Sequence, residues 1–541
     1  MTLDQHPRHH RGWVLAVVCT ATFMLLLDLT IVAVALSDIQ ADFHADLASL
    51  QWVIDAYTLP LAGLLLTAAT IGDRIGRRRV FLLGMALFTI GSLACAVAWS
   101  PLVLDLTRAF QGLGGALLFG VGLPLIAAAF PEPKARAGAI GVFGATLAGA
   151  TAVGPLVGGA LVNGPGWRWI FLINVPIGAA ALVIAWWRLD DSRASRTRAA
   201  DWPGTVLLTT GLLLLLLALI RGNEDGWGSI RIVVLFVVAA ALLVGFLVRE
   251  AIAAEPMLDL RLFRSPSFAG IALSVFVMSG TIVAATSYLG LYLVNTLGYE
   301  PFDAGVRFLP LTVSAFVAAP VVARFGYRVP PRFTIGGGLA LITTGMFLAA
   351  RLDGDSGWTA LLAGFIVAGL GLGAVSAATS QAVLASTEHS EAGMATGVTN
   401  TMRQIGVAAG VAVLGAIFQH RTTDGMASHL ARLPVPRAGA DALANAVGSG
   451  AGLRAIANAP APVRASLAAA VRSATAGALD DVLIGAAIVA AVATIGAVIL
   501  IRREPNTVPA PVPVEPVYAT RPTGTVYYST SWWPGHQQGQ A

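Results

Sequence analysis

Apolar runs of about twenty residues recur along almost the whole chain and are separated by short polar stretches. A helix of that length crosses the roughly 30 Å hydrocarbon core of a bilayer and satisfies its own backbone hydrogen bonds there. The pattern predicts fourteen membrane spans, at 13–36, 51–71, 80–99, 102–129, 138–162, 168–187, 204–220, 230–249, 268–294, 308–323, 333–350, 358–384, 393–419 and 479–501. The sequence therefore predicts an all-α polytopic membrane protein.

Basic residues concentrate in the loops that follow the even-numbered spans, for example at Arg77, Arg78 and Arg79 after the second span. The short loops on the other side, 37–50 and 221–229, are acidic or mixed. Because cytoplasmic loops carry the excess of Lys and Arg, we expect both termini to lie in the cytoplasm of a cell whose plasma membrane holds the protein.

Three segments lie outside this alternation. Residues 1–12 form a short basic N-terminus on the cytoplasmic side. Residues 420–478 are rich in alanine and are expected to form a long external loop with partial helix. The tail, 502–541, is rich in proline and then in polar and aromatic residues, and this composition predicts a disordered cytoplasmic segment.

Composition and motifs exclude several classes of function and partner. The chain is 56% hydrophobic and 12% charged, whereas soluble domains carry about 25% charged residues. Its basic residues sit in short loops and not on one face, so nucleic acid is not an expected partner. The two cysteines, Cys19 and Cys95, lie in apolar runs and offer no disulfide or metal spacing. Without a phosphate-binding loop or a catalytic histidine cluster, neither an ATP-driven pump nor an enzyme is expected, and no cofactor is.

Charged residues inside the apolar runs are few, and each costs several kcal/mol unless it is paired or faces a cavity. They are Asp28, Asp55, Asp105, Arg108 and Arg403. At about 1.5 Å per residue, the first four lie in the outer half of the membrane, and Asp28 is the deepest of the three acids. Intramembrane acids of this kind are candidates for proton uptake and release.

Two interpretations of this cluster are open. In the structural one, Asp105 pairs with Arg108 three residues later and Asp55 only lies at the interface. In the functional one, Asp28, which has no basic neighbour in its own span, exchanges protons during transport. The sequence favours the functional interpretation most strongly for Asp28.

Several motifs resemble one known family. They are GDRIGRRRV at 72–80, RAFQGLGGA at 108–116, GPLVGG at 154–159, WRWIFLINVPIG at 167–178 and the stretch EAGMATGVTNTMRQIG that begins at 391. The first three resemble the loop 2–3, span 4 and antiporter span 5 motifs of the major facilitator superfamily. In combination they are similar to the fourteen-span drug:proton antiporter branch of the EmrB/QacA type.

The resemblance implies a fold and a division of the chain. Two six-helix bundles would occupy 13–187 and 268–501, and the linker 188–267 would add two extra transmembrane helices. The two bundles would rock about a central site to expose it to either side of the membrane.

The resemblance also implies roles for individual residues. Proton coupling falls to Asp28 and Arg108, and a cytoplasmic gate to Asp73, Arg74 and Arg77. The antiporter motif comprises Gly154, Pro155, Gly158 and Gly159. Substrate contacts are expected from Asp55 and from the aromatic residues Trp52, Tyr57, Tyr288 and Tyr292.

The function expected from the resemblance is multidrug efflux by a monomeric antiporter. It would exchange protons for lipophilic drugs, and the acid at Asp55 favours cationic ones. Export of a self-made natural product, lipid or siderophore by the same machinery is an open alternative. Proton-coupled import of a metabolite is disfavoured by the antiporter motif GPLVGG. A membrane-embedded enzyme or receptor is disfavoured because the sequence shows no set of residues typical of a catalytic site.

Overall fold

The computed structural model describes most of the chain, and every regular element in the described residues is a helix. The described residues are 9–43, 47–190, 201–253, 258, 260–325, 329–354, 356–385, 392–430, 443–444, 447, 456 and 461–501. Most of the expected N-terminal segment, most of the connection between 431 and 460, and the tail from 502 lie outside the described residues.

The first part of the chain forms eight α-helices. They are α1 (His9–Phe43), α2 (Leu47–Gly63), α3 (Leu65–Ile75), α4 (Arg77–Ala96), α5 (Pro101–Ala129), α6 (Pro133–Asn163), α7 (Trp169–Leu172) and α8 (Asn174–Arg188).

The second part continues with nine α-helices. They are α9 (Trp202–Asp225), α10 (Ile230–Ile252), α11 (Pro266–Met278), α12 (Ala284–Leu291), α13 (Pro301–Phe325), α14 (Pro331–Ala349), α15 (Leu362–Ala385), α16 (Ala392–Leu430) and α17 (Ala461–Leu500). Short π-helical segments, Ser279–Val283 and Tyr292–Thr296, join α11 to α12 and follow α12, so that one long helical rod results.

Each predicted span coincides with helical structure, but several helices are longer than the spans, most clearly α16, which continues to Leu430, and α17, which begins at Ala461. Twelve helical segments of the described chain are long and apolar enough to cross a membrane, and α2 with α3 makes a thirteenth if this pair, bent by 47°, is one span. The remaining predicted span, 138–162, lies within α6. The protein is therefore a multi-pass membrane protein, and the count of fourteen stays a prediction.

The helices α16 and α17 extend into the segment expected to be an external loop. Their extensions pack against each other through buried apolar side chains, including Met426, Leu430, Leu467 and Val471. An ion pair of 3.2 Å between Arg421 Nε and Asp481 Oδ2 joins them nearer the membrane. A paired helical extension thus accounts for part of the 420–478 segment.

Buried apolar side chains fall into clusters that follow the order of the chain. Two clusters draw only on residues between Val14 and Leu189. The largest draws mainly on residues between Phe268 and Ile501, with a few from α3, α9 and α10. This separation agrees with a division into two helical bundles, although the bounds of those bundles stay predictions.

Large apolar side chains on the outer surface match a lipid environment. The helix α10 exposes a row of them, Val237, Val244, Val248 and Ile252. Tryptophans gather at the helix ends, as is typical of the two membrane interfaces. Trp13, Trp187 and Trp202 are exposed at one end, and Trp99, Trp169 and Trp227 at the other.

Candidate functional site

The carboxylate of Asp28 is buried at the centre of a polar network in α1. Its Oδ2 forms an ion pair with Arg108 Nη1 of α5. Its Oδ1 accepts hydrogen bonds from Gln111 Nε2 at 3.0 Å and from Asn174 Nδ2 at 3.3 Å. One acid is thus held by three donors from two other helices.

The guanidinium of Arg108 is fully buried and binds more than the acid. Its Nε donates to the backbone carbonyl of Val53 in α2 at 3.0 Å, and its Nη1 donates to Gln111 Oε1 at 2.8 Å. Its Cζ lies 4.2 Å from the ring centroid of Tyr57, which is a cation–π distance. A charge inside the membrane is therefore compensated on several sides at once.

Gln111 connects the ion pair to α4. Its Nε2 donates to Ser92 Oγ at 2.8 Å as well as to Asp28, and its Oε1 accepts from Arg108. With Asn174 from α8, the network joins α1, α2, α4, α5 and α8. Any change in the charge of Asp28 therefore affects hydrogen bonds that connect five helices of the first part of the chain.

The structure shows which acid pairs with Arg108, whereas proton exchange at Asp28 stays a prediction. Arg108 pairs with Asp28, and no ion pair between Arg108 and Asp105 occurs among the described residues. Asp105 is only half-buried on its helix. The prediction that Arg108 pairs with Asp105, three residues before it, is therefore wrong. Arg108 pairs instead with Asp28 of another helix.

The loop at 72–80 needs both of its glycines. Gly76 joins α3 to α4 with φ of 113°, a backbone conformation that other residues rarely adopt. Gly72 packs so closely on α5 that an added Cβ would overlap a methyl group of Val121. The turn and the close approach place the basic cluster against α5.

The predicted gate residues are arranged around this turn. Arg77 is buried, and its Nε and Nη2 each lie 2.8 Å from Asp73 Oδ1. Arg77 Nη1 also donates to the carbonyl of Pro124 in α5 at 3.4 Å. The third predicted gate residue, Arg74, is half-buried at the end of α3. Asp73 and Arg77 thus tie the α3–α4 turn to α5, while the gating role of all three stays a prediction.

We expect Asp73→Asn to weaken this tie and slow transport without unfolding the protein. Arg77 would lose its anionic partner, and a hydrogen bond to a charged group contributes about 1.5–3 kcal/mol. Transport rates in proteoliposomes measure the effect, with Arg79→Gln at the exposed neighbouring position as the matched control. Unchanged transport by Asp73→Asn would remove the gating role.

The predicted antiporter motif lies within α6, where its glycines are buried. At Gly154 an added Cβ would overlap Thr30 Oγ1 of α1, and at Gly159 it would lie 3.3 Å from Phe302 Cβ of α13. Gly158 is buried between them, and the side chain of Pro155 lies outside the described residues. The motif therefore allows α6 to approach helices from both parts of the chain.

The predicted substrate contacts lie in two stretches of the chain, 52–57 of α2 and 288–292 of the helical rod that contains α12. Asp55 is buried in α2, and Tyr57 packs under Arg108. Trp52 contacts Arg221, whose Cζ is 5.6 Å from its ring centroid. Tyr288 donates to the carbonyl of Val411, and Tyr292 to that of Ser356. The structure thus brings Tyr57 into the Asp28 network through its contact with Arg108.

A cavity lies where α5 and α6 face α11, α15 and α16. It is lined by Phe119, Leu123, Phe143, Leu147, Val275, Thr379, Ser380, Val383, Thr396, Thr399, Asn400 and Arg403. None of the five predicted substrate contacts is among these lining residues, and neither is Asp28. The substrate-contact roles therefore stay predictions, and the cavity provides a separate candidate site.

Sequence reasoning found the acid and the arginine but missed their amide partners. Gln111 and Asn174 are uncharged, so the search for charges inside spans passed over them. Both lie inside motifs that were recognised, RAFQGLGGA and WRWIFLINVPIG. A polar amide in an otherwise apolar span was the available signal.

Comparisons with known proteins agree with these motifs. A family model described as Major Facilitator Superfamily matches residues 18–411. The Tetracenomycin C resistance and export protein of Streptomyces glaucescens is 37% identical over 79% of this chain and 80% of its own. The Multidrug resistance protein Stp of Mycobacterium tuberculosis is 35% identical over 76% of each chain.

A solved structure supports the fold. The human organic anion transporter MFSD10 (TETRAN) has a TM-score of 0.55 and 15% identity, covering 83% of this chain and 98% of its own. At that identity the likeness concerns the fold alone. With a family model that covers most of the chain and relatives above 30% identity, this protein belongs to the Major Facilitator Superfamily.

Proposed function

We propose that this protein is a proton-coupled antiporter that exports lipophilic drug-like molecules across the plasma membrane, as a monomer with both termini in the cytoplasm. The names of the two relatives, which refer to drug resistance and export, support the cargo class and the direction. The observation that carries the coupling is the carboxylate of Asp28, buried in a membrane helix and held by Arg108, Gln111 and Asn174.

Protonation of Asp28 is the proposed coupling step. A neutral carboxyl group no longer balances the charge of Arg108, and its new O–H has to find an acceptor where Gln111 and Asn174 both present N–H donors. The network therefore favours one arrangement when Asp28 is charged and another when it is neutral. Since the network joins five helices, a change in the protonation of Asp28 shifts the equilibrium between the conformations that open to either side of the membrane.

The proton gradient supplies the driving force in this scheme. A membrane potential of about 100 mV is worth about 2.3 kcal/mol per charge moved, which sustains roughly fifty-fold accumulation. No cofactor is needed for such a cycle, because the proton enters at Asp28 from one side and leaves to the other as cargo exchanges.

Export of a natural product is the second candidate. The relative from Streptomyces glaucescens is named for resistance to and export of one compound, tetracenomycin C. The same coupling site serves a dedicated exporter and a multidrug exporter equally well. The two differ only in how many unrelated compounds the cavity accepts.

Counter-directional flux is the expected result that tests the proposal. Proteoliposomes loaded with lipophilic dyes, including ethidium and fluorescein, should lose dye when the outside is made more acidic than the inside. Reversing the pH gradient should stop the loss, and liposomes without the protein provide the control. Dye and protons that move in the same direction would indicate an importer, and dye movement that ignores the gradient would exclude coupling.

A further inference from the structure

The cavity between α5, α6, α11, α15 and α16 has two unlike walls. The α5 and α6 wall consists of apolar side chains, Phe119, Leu123, Phe143 and Leu147. The α15 and α16 wall carries hydroxyl groups, one amide and one guanidinium. No described lining residue is acidic. An occupant of this cavity therefore meets an apolar surface on one side. On the other side it meets neutral polar groups and one positively charged guanidinium.

Arg403 supplies the positive charge. It lies about 16 Å along α16 from Ala392, well inside the membrane-spanning part of the helix. Its Nε is buried and lacks a hydrogen-bond partner, and within the described part of the chain the guanidinium has no ion pair. Buried charges in proteins are normally paired, so an arginine of this kind indicates a ligand site.

Other arginines of the spans provide the contrast. Arg108 pairs with Asp28, Arg77 with Asp73, and Arg221 with Asp225. The first pair joins α1 to α5 and the second joins α3 to α4, whereas the third lies within α9. Arg403 forms no ion pair with a described residue, and it lines the cavity instead.

The neighbouring polar groups leave further donors available. Thr379, Ser380 and Thr399 donate their hydroxyl protons to carbonyls of their own helices. The hydroxyl of Thr396 is buried without a partner, and the amide of Asn400 makes no hydrogen bond to a described residue. Thr396, Asn400 and Arg403 therefore present unused N–H and O–H donors along one face of α16.

We propose that Arg403 recognises the cargo, and that the cavity selects lipophilic molecules that carry an ionised carboxylate or phenolate. The fork of the guanidinium fits a carboxylate with two parallel hydrogen bonds, and its plane stacks on an aromatic ring. The cavity as it stands offers only about 20 Å³ to water-sized occupants, so the rings of Phe119 and Phe143 receive the apolar body of such a molecule only when the two walls move apart. The substrate class rests on the proposed export function, whereas the anion site itself does not.

The anion site changes the expected charge of the cargo. The expectation of cationic drugs rested on Asp55, which is not among the lining residues of this cavity. A cation placed here would be repelled by Arg403 and would find no described acid in the lining to balance it. Anionic and neutral acceptor-bearing compounds fit the cavity better.

Binding of matched ligands tests the site without transport. 2-Naphthoate and 2-naphthamide have the same shape and differ in charge, so their affinities for the purified full-length protein isolate the contribution of the charge. We expect the wild type to prefer 2-naphthoate, and Arg403→Gln to weaken its binding about tenfold or more while 2-naphthamide is little affected. Arg403→Lys should retain part of the preference. Arg421→Gln, at an exposed position of the same helix, is the matched control.

Transport then tests the substrate class. In proteoliposomes Arg403→Gln should lower fluorescein export about tenfold and leave ethidium export unchanged or raised. A wild type without preference for 2-naphthoate over 2-naphthamide would overturn the proposal, as would an equal loss of both dyes by a folded Arg403→Gln protein. Should Arg403→Gln not fold, the preference of the wild type and the effect of Thr396→Val on 2-naphthoate binding decide the question. Arg403-dependent binding without any export would contradict the proposed function and leave the anion site standing.

Discussion

Replacing Asp28 with asparagine should abolish gradient-driven export and leave a folded protein. Asparagine has nearly the same shape and resembles the protonated acid: its carbonyl oxygen can still accept from Arg108, whose bonds to Val53 and Gln111 persist, while its NH2 group faces the N–H donors of Gln111 and Asn174 as the new O–H would. It cannot bind and release a proton at neutral pH. Accumulation of roughly fifty-fold per charge at about 100 mV should therefore fall to equilibration of the dye across the membrane.

The decisive measurement distinguishes the coupling of dye export to protons from the movement of dye itself. Uphill dye export under a pH gradient should disappear in Asp28→Asn, whereas exchange of labelled for unlabelled dye without a gradient should continue. Asp42→Asn is the matched control, because Asp42 lies on the same helix but forms an exposed pair with Arg168. Uphill export by Asp28→Asn, with its pH dependence intact, would remove Asp28 from the coupling step.

The sequence predicted the location of this site because charges inside apolar runs are rare and costly. The position of Asp28 within its span set its depth, and the position of Arg108 set a similar depth on another helix. The pairing of Asp28 with Arg108 could not be predicted in this way. A local partner for Arg108, Asp105, was available in the sequence, and only helix packing decided against it.

The aromatic residues show where such reasoning ends. Tyr57, Tyr288 and Tyr292 are apolar enough to face lipid, core or cavity, and nothing in their own spans distinguishes these environments. The structure places Tyr57 under Arg108, and hydrogen bonds fix the hydroxyl groups of the other two. The cavity is likewise invisible in the sequence, because its walls come from helices far apart in the chain.

Arg403 illustrates an intermediate case. Its charge inside a span identified it as unusual, but neither a partner nor a role for it followed from the sequence. The absence of a described counter-charge and the position on a cavity wall are properties of packing. Local pattern thus finds residues that are expensive to bury, and tertiary structure tells which of them are already compensated.

Removing Arg108 should destabilise the protein more than removing Asp28. In Arg108→Met the carboxylate of Asp28 stays buried with only the amides of Gln111 and Asn174 as donors. Breaking a buried pair by taking away one partner costs about 3–5 kcal/mol. The loss of the contact with Tyr57 adds to this, because the guanidinium lies over its ring at 4.2 Å.

A double substitution distinguishes charge burial from lost packing. Asp28→Asn combined with Arg108→Met removes both charges, and replacement of a buried pair by neutral groups is often close to neutral. Unfolding of the four proteins in a denaturing detergent should therefore show the double variant recovering most of the stability that Arg108→Met loses. Strictly additive losses would mean that the two side chains do not stabilise each other. In that case the coupling network would have to be sought around another acid of the spans.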